Sequence, residues 1–317
     1  MSIWEDLSKP FFVLAPMDDV TDTVFRRMIA GCAPPDLYFT EFVNVDGLQS
    51  PGRGKLLKKL EFTDYERPII AQIWGKEPQN YYETARDLVE MGFDGIDINM
   101  GCPVSAVIKN GCCSALIDNR TLAKEIIDAT KRGAADRLPI SVKTRLGIRE
   151  ADFSWHEFLL GQQLDAVIIH GRTAKNMSDV PADWQSIAKI RELRDDISPS
   201  TKIVGNGDVL SRSQGLELAQ RHGIDGAMIG RGVFADPFVF ARHSPWDTYT
   251  KVQKVELYKR HVELFLDTWK NDERRIHTLN KFCKVYISGF EGAKELREDL
   301  MCAQNGNDIL KILTAER

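Results

Sequence analysis

The stretch Asp97-Ile-Asn-Met-Gly-Cys-Pro103 ends in a cysteine placed where a side chain can react. Residues 93–99 form a short apolar run with isoleucine at alternate places, the pattern of a buried strand. The run stops at Met-Gly-Cys-Pro, where glycine permits unusual backbone angles and proline withholds the next backbone donor. A parallel α/β fold puts its chemistry on such turns, and Cys102 is read as the reactive residue. Lys143 is the next informative group, because an ammonium inside an otherwise buried strand needs an anion or a strong acceptor. The electron-rich ring of a reduced flavin would suit it, with Gln72 and Asn99 as neutral hydrogen-bonding neighbours. His170 runs into Gly171-Arg172-Thr173 at another strand end and reads as ligand-facing.

These residues need a scaffold, and the apolar runs supply one. Buried strands are predicted at 11–15, 36–42, 68–75, 93–99, 138–144, 165–170, 201–206 and 225–230. Helical spacing falls between them: after Thr21-Asp22, over 80–91, 114–132, 153–162, 184–193 and 211–222. Residues 44–62 are polar, with Arg53, Lys55, Lys58 and Lys59, and read as a loop and a short helix. Eight βα units in sequence predict a parallel (β/α)₈ barrel, a TIM barrel, over a doubly wound open sheet. Beyond Pro237 the strand pattern ends, and helices are predicted over 250–270, 274–288 and 293–302, then a short last one. The expected division is a barrel over 1–243 and a small helical domain over 244–317.

With 317 residues, 43% hydrophobic and 28% charged, the chain is long enough for these two parts. Its formal net charge of -4 gives no global sign of nucleic-acid binding, so any such contact needs a local basic patch. Six cysteines lack a CxxC pair, which argues against zinc and iron–sulfur sites, and no metal is expected. The first residues are acidic without an apolar core, and no run approaches the roughly 18 apolar residues of a membrane span. A cytoplasmic protein with reduced thiols is the expectation.

Barrel chemistry sits at the C-terminal strand ends. Those ends carry Pro16 and Met17, Gln72, Asn99 and Cys102, Lys143 and Arg145, His170 and Arg172, Asn206-Gly207-Asp208 and Gly230-Arg231-Gly232. So many polar and cationic groups suit a large, polar, anionic ligand. The Gly-rich turns at the last two strands match the usual barrel phosphate site, where backbone N–H groups and Arg231 would face the phosphate.

Taken together, these segments resemble the tRNA-dihydrouridine synthase family. The resemblance rests on Leu14-Ala-Pro-Met17, Ala71-Gln-Ile-Trp-Gly75, Asp97-Ile-Asn-Met-Gly-Cys-Pro103 and Ser141-Val-Lys-Thr-Arg-Leu-Gly147. It rests further on His170-Gly-Arg-Thr173, Gly205-Asn-Gly-Asp208, Ile229-Gly-Arg-Gly232 and Leu279-Asn-Lys-Phe-Cys-Lys-Val-Tyr286, and so spans nearly the whole chain. It implies FMN bound in the barrel, re-reduced by NADPH (or NADH), with hydride going to C6 of a tRNA uridine. Cys102 would protonate C5, its thiol proton mostly present at neutral pH. The flavin would meet Pro16, Met17, Gln72, Lys143, His170, Asn206, Gly207, Asp208, Gly230 and Arg231. Substrate would meet Asn99, Arg145, Arg172 and Lys281, the last in a tRNA-binding helical domain. A monomer suits so large a substrate. The chain departs from the family at Gly111-Cys112-Cys113, where small residues are usual, and at Ala174, where arginine is common. The other reading is an FMN-barrel oxidoreductase of a small molecule, akin to dihydroorotate or dihydropyrimidine dehydrogenases, which has no need of basic C-terminal helices.

Overall fold

Strands built from Phe, Val, Leu and Ile runs can be covered on both faces only in a parallel sheet flanked by helices. The computed structural model, which describes residues 2–270 and 273–315, has that sheet. Its strands are β1 (Phe11–Leu14), β2 (Tyr38–Phe39), β3 (Val43–Asn44), β4 (Ile69–Trp74), β5 (Gly95–Met100), β6 (Ile140–Arg145), β7 (Ala166–His170), β8 (Lys202–Asn206) and β9 (Gly226–Ile229). They pair in parallel in the order β1-β9-β8-β7-β6-β5-β4-β2, with β3 also on β4. Leu14 N–H donates to Leu37 O at 3.1 Å and Asp36 N–H to Phe12 O at 2.9 Å. The two ends of the path thus meet, and the sheet is the predicted barrel. Among the described residues no helix is long and apolar enough to cross a membrane.

The strand predicted at 36–42 is two short pieces. Gln72 N–H donates to the Thr40 hydroxyl at 3.1 Å instead of to a carbonyl, which interrupts the ladder between β2 and β3. The helix predicted over 114–132 is also divided, into a 3₁₀ turn (Cys113–Asp118) and a helix (Arg120–Ala134). Asn119 caps the second piece, its side chain accepting from Leu122 N–H at 3.2 Å. The remaining flanking helices are Pro78–Glu90, Phe153–Leu160, Trp184–Ile197 and Arg212–His222. Asp152, Asp183 and Ser211 cap the last three through their side chains.

Alternate residues of each strand share a side. The lower interior is apolar: Trp4, Phe11, Val13, Phe39, Ile70, Ala166, Ile168, Val204 and Met228 form one buried cluster. Trp4 comes from a short helix (Ile3–Asp6) that the sequence reading passed over, and its ring lies 5.9 Å from Phe11. On β4, β5 and β6 the pattern is polar instead. Register sets Gln72 beside Asp97 and Asp97 beside Ser141, with Asn99 beside Lys143 one pleat higher.

By packing, the chain divides into Met1–Thr23 with Pro35–Gly230, and Val24–Pro34 with Arg231–Arg317. The division thus falls at 230/231, earlier than the expected 243/244, and the helix Thr23–Cys32 goes largely with the C-terminal part. Aromatic packing explains this: Phe25 stacks on Phe282 at 4.9 Å and on Phe234 at 6.3 Å. The longer helices of this unit, besides Thr23–Cys32, are Lys251–Thr268, Asn280–Tyr286, Ala293–Cys302 and Gly306–Ala315. Tyr258 stacks on Tyr286 at 5.4 Å, and the buried His261 places Nδ1 3.1 Å from the Tyr286 hydroxyl.

Candidate active site

Cys102 follows β5 on a turn held from every side. Asn99 Oδ1 accepts from the backbone N–H of both Gly101 and Cys102, each at 3.0 Å. Arg145 Nε donates to Gly101 O at 2.8 Å, and Ser114 Oγ donates to Cys102 O at 2.8 Å. The thiol is half-buried, while Cys113 is buried at 1% exposure and hydrogen-bonded to it through sulfur. Cys113 holds this place with φ +54, a left-handed value that suits the small residue usual there.

The contact splits the two thiols. The hydrogen bond from Cys113 lowers Cys102 to about 6, helped by Val104 N–H and the Arg145 guanidinium and opposed by burial. That bond and burial push Cys113 well above the ordinary thiol value. The expectation that Cys102 simply keeps its proton at neutral pH is therefore corrected. Cys113 is the better keeper.

Beneath the turn lies a polar floor. Asn99 Nδ2 donates to Gln72 Oε1 at 3.0 Å, and Gln72 Nε2 donates to Asp97 Oδ2 at 2.7 Å. Ser141 Oγ donates to the other carboxylate oxygen at 2.6 Å. Burial pushes Asp97 up to about 7, against the hydrogen bonds from Ser141 and Gln72. Lys143 makes one long hydrogen bond, to Asn206 Oδ1 at 3.4 Å, and Asn206 Nδ2 is fixed on Met228 O at 2.9 Å. Burial lowers Lys143 to about 8, with Arg145 adding repulsion and Asp97 opposing it.

On the far side, Arg172 Nη1 meets His170 Nε2 at 3.2 Å. Arginine only donates, so this imidazole nitrogen accepts and the ring's proton sits on Nδ1. Arg172 also binds Asp208 at 2.6 Å and the carbonyl of Val180, so the pair closes the β7 and β8 loops. Arg145 donates in addition to Thr173 O at 3.1 Å and Met177 O at 3.0 Å. Arg145 and Arg172, expected at the substrate, use their guanidiniums to brace the protein's own loops around Cys102 and His170.

Met17 closes the β1 turn, its N–H donating to Thr21 Oγ1 at 2.9 Å, directly after Pro16. Gly207 has φ +130, and a Cβ there would lie 2.6 Å from that of Ala182. At Gly230 the nearest atoms to a Cβ would be Ala15 at 3.5 Å and Met17 Sδ at 3.9 Å. Arg231 and Lys281 belong to the other packing unit, Arg231 directly preceding the helix Gly232–Ala235 and Lys281 exposed on the helix Asn280–Tyr286.

A protein-family model described as dihydrouridine synthase matches residues 13–315. The chain belongs to the dihydrouridine synthase family. It is 45% identical over 307 residues to a probable tRNA-dihydrouridine synthase of Staphylococcus aureus (strain COL), covering 96% of this chain and 92% of that one. It is 42% identical over 316 residues to probable tRNA-dihydrouridine synthase 2 of Bacillus subtilis (strain 168), covering 98% and 95%. Among solved structures, morphinone reductase superposes with a TM-score of 0.54 at 13% identity, over 74% of this chain and 86% of that one. Histamine dehydrogenase from Rhizobium sp. 4-9 does so with 0.53 at 12%, over 80% and 48%. At such identities these likenesses concern the fold alone.

In this dihydrouridine synthase the sequence reading missed Asp97, Ser141, Ser114 and the facing thiol of Cys113. The first two carried a usable signal. They stand two residues before Asn99 and Lys143, on the same side of their strands.

Proposed function

We propose that this dihydrouridine synthase reduces the C5–C6 double bond of a uridine in tRNA, using FMN and NADPH. The observation that carries the reading is a thiol pinned at a barrel mouth, beside a lysine whose hydrogen-bonding capacity is barely used. An ammonium has three donors, and Lys143 makes a single bond of 3.4 Å. That suits an electron-rich ring edge, so the residues fit a flavin. Lys143, Gln72 and His170 would hold the ring, with Pro16 and Met17 beside it. Asn206, Gly207, Asp208 and Gly230 would line the phosphate, and Arg231 is proposed there from its place in the sequence. Held there, a flavin would supply a hydride for C6, with NADPH as the source of its reducing equivalents.

The chain's own work is the proton. Cys102 Sγ delivers it to C5, and the low affinity of this sulfur for its proton makes the protonated form a strong donor. A strong acid is mostly ionised at neutral pH, so Cys102 takes up the proton it delivers from solvent before each turnover. The Cys113 S–H is not that proton: its contact with Cys102 and its burial hold it on Cys113 throughout. Cys113, Val104 N–H and Arg145 then stabilise the thiolate left behind.

The helical unit is proposed to bind tRNA through Lys281 with Arg274, Arg275 and Lys284. Arg297 contributes less, because its Nη1 donates to Ile287 O at 2.6 Å. Contacts of this kind to phosphates weaken with salt. A cytoplasmic monomer is the proposed working form.

Mass-spectrometric mapping of tRNA incubated with the protein, FMN and NADPH tests the reading. A new dihydrouridine, absent without protein, is expected. A flavin-loaded protein that oxidises NADPH and leaves every uridine intact would overturn it in favour of a small-molecule reductase.

A further inference from the structure

The line of hydrogen bonds beneath Cys102 has a polarity that is dictated from one end. Backbone N–H groups can only donate, so Asn99 must turn Oδ1 toward Gly101 and Cys102. Its Nδ2 must then face Gln72, which must offer Oε1. Gln72 Nε2 is left facing away from Asn99, and only an acceptor can meet it. Asp97 is that acceptor. It is wholly buried, and register places it between Gln72 and Ser141, so its two oxygens are taken by those two side chains. The acid makes both hydrogen bonds sideways, to its register neighbours on β4 and β6, one pleat below Asn99.

We propose that Asp97 is a positioning residue for uridine reduction: by accepting from Gln72 it fixes both amides, and through Asn99 it holds the turn that carries Cys102. The inference rests on the proposed role of Cys102. It does not depend on the charge of Asp97, since Oδ2 accepts whether or not Oδ1 carries a proton. An apolar residue at 97 would leave Gln72 Nε2 unpaired in the interior, and the amide would rotate to find a partner. Asn99 would then lose the acceptor that sets its own orientation, and the Cys102 turn would lose two of its four bonds. Asparagine at 97 can keep the line, with its Oδ1 toward Gln72 and its Nδ2 toward Ser141 Oγ.

The test compares Asp97→Leu, Asp97→Asn, Gln72→Met and Ser141→Ala, each loaded with flavin. One readout is alkylation of Cys102 by iodoacetamide against pH, followed at the Cys102 peptide. The other is the kcat and KM for tRNA. Asp97→Leu and Gln72→Met are expected to shift the alkylation midpoint upward, slowing the reaction about tenfold at pH 6.5. They are expected to lower kcat about tenfold with KM for tRNA little changed. Asp97→Asn should restore most of both, and Ser141→Ala should fall between the parent and Gln72→Met, because Ser141 bonds the oxygen that Gln72 does not use. The double variant Asp97→Leu/Gln72→Met should be no worse than either single one. If Asp97→Leu does not fold, the contrast between Gln72→Met and Ser141→Ala still decides. Unchanged alkylation in Gln72→Met, or damage in Asp97→Asn equal to that in Asp97→Leu, overturns the proposal. Full activity in Cys102→Ala would instead remove Cys102 from its role while leaving the effect of Asp97 on its reactivity intact.

Discussion

Replacing Cys113 by alanine isolates the hydrogen bond that sets the acidity of Cys102. A hydrogen bond to a charged group contributes about 1.5–3 kcal/mol. A thiol is a weak donor, so the low end applies. At roughly 1.4 kcal/mol per pH unit, losing it should raise Cys102 from about 6 by about one unit. Burial, which opposes ionisation, remains in the variant, while Arg145 and Val104 N–H still favour the thiolate. The assay is the rate of iodoacetamide modification at the Cys102 peptide between pH 5 and 9. At pH 6.5 the thiolate fraction should drop about threefold, and the midpoint should move toward 7. Cys113→Gly should behave alike and relieve the left-handed strain at φ +54, of order 1–2 kcal/mol. An unmoved midpoint in both variants would refute the coupling of the two thiols.

Other perturbations test the rest of the barrel and the helical unit. Lys143→Met should release FMN, read as loss of the flavin spectrum after desalting. In the parent protein, flavin affinity should weaken as pH rises past about 8, where Lys143 gives up its charge. Burial holds His261 down to about 3, so the unfolded chain takes up a proton there first as pH falls below the ordinary histidine value. Stability should accordingly drop by about 2 kcal/mol from this group between pH 6.5 and 5. Urea unfolding of parent and His261→Gln at the two pH values checks it, the variant showing a flatter dependence. Gly207→Ala should destabilise the β8 end by roughly 1–3 kcal/mol and impair flavin retention, since it combines φ +130 with a 2.6 Å clash. Thermal unfolding and the flavin spectrum measure the two effects.

Much of this molecule is legible in its sequence because its strands are short, apolar and ended by glycine or proline. Cys102, Lys143 and His170 stand at those ends and announce themselves. Asp97 does not, because a single acid inside Gly-Ile-Asp-Ile-Asn-Met reads as an interruption of an apolar run. Only the register with β4 and β6 shows that it sits between two hydrogen-bonding neighbours. The charges of Arg145 and Arg172 were equally visible, yet sequence cannot distinguish an acceptor on a ligand from a carbonyl on the protein's own loop. The facing of Cys113 and Cys102 depends on the path of the chain through Ser105–Lys109 and the turn at Gly111, which no periodicity encodes.

The membership of Val24–Pro34 in the C-terminal packing unit bears on how such an enzyme could be recombined. The chain passes from the barrel into the helical unit and back before it leaves for good, so the two parts are joined by three connections rather than one. A chimera cut once after Gly230 would carry a foreign helical region but keep the native helix Thr23–Cys32. Phe25 would then lack Phe282 and Phe234, and Arg27 would lack Thr268, which its Nη1 reaches at 3.2 Å. Grafting the helical unit between relatives therefore calls for two exchanged segments, one of them internal. Inheritance of the two parts is linked by the wiring of the backbone itself.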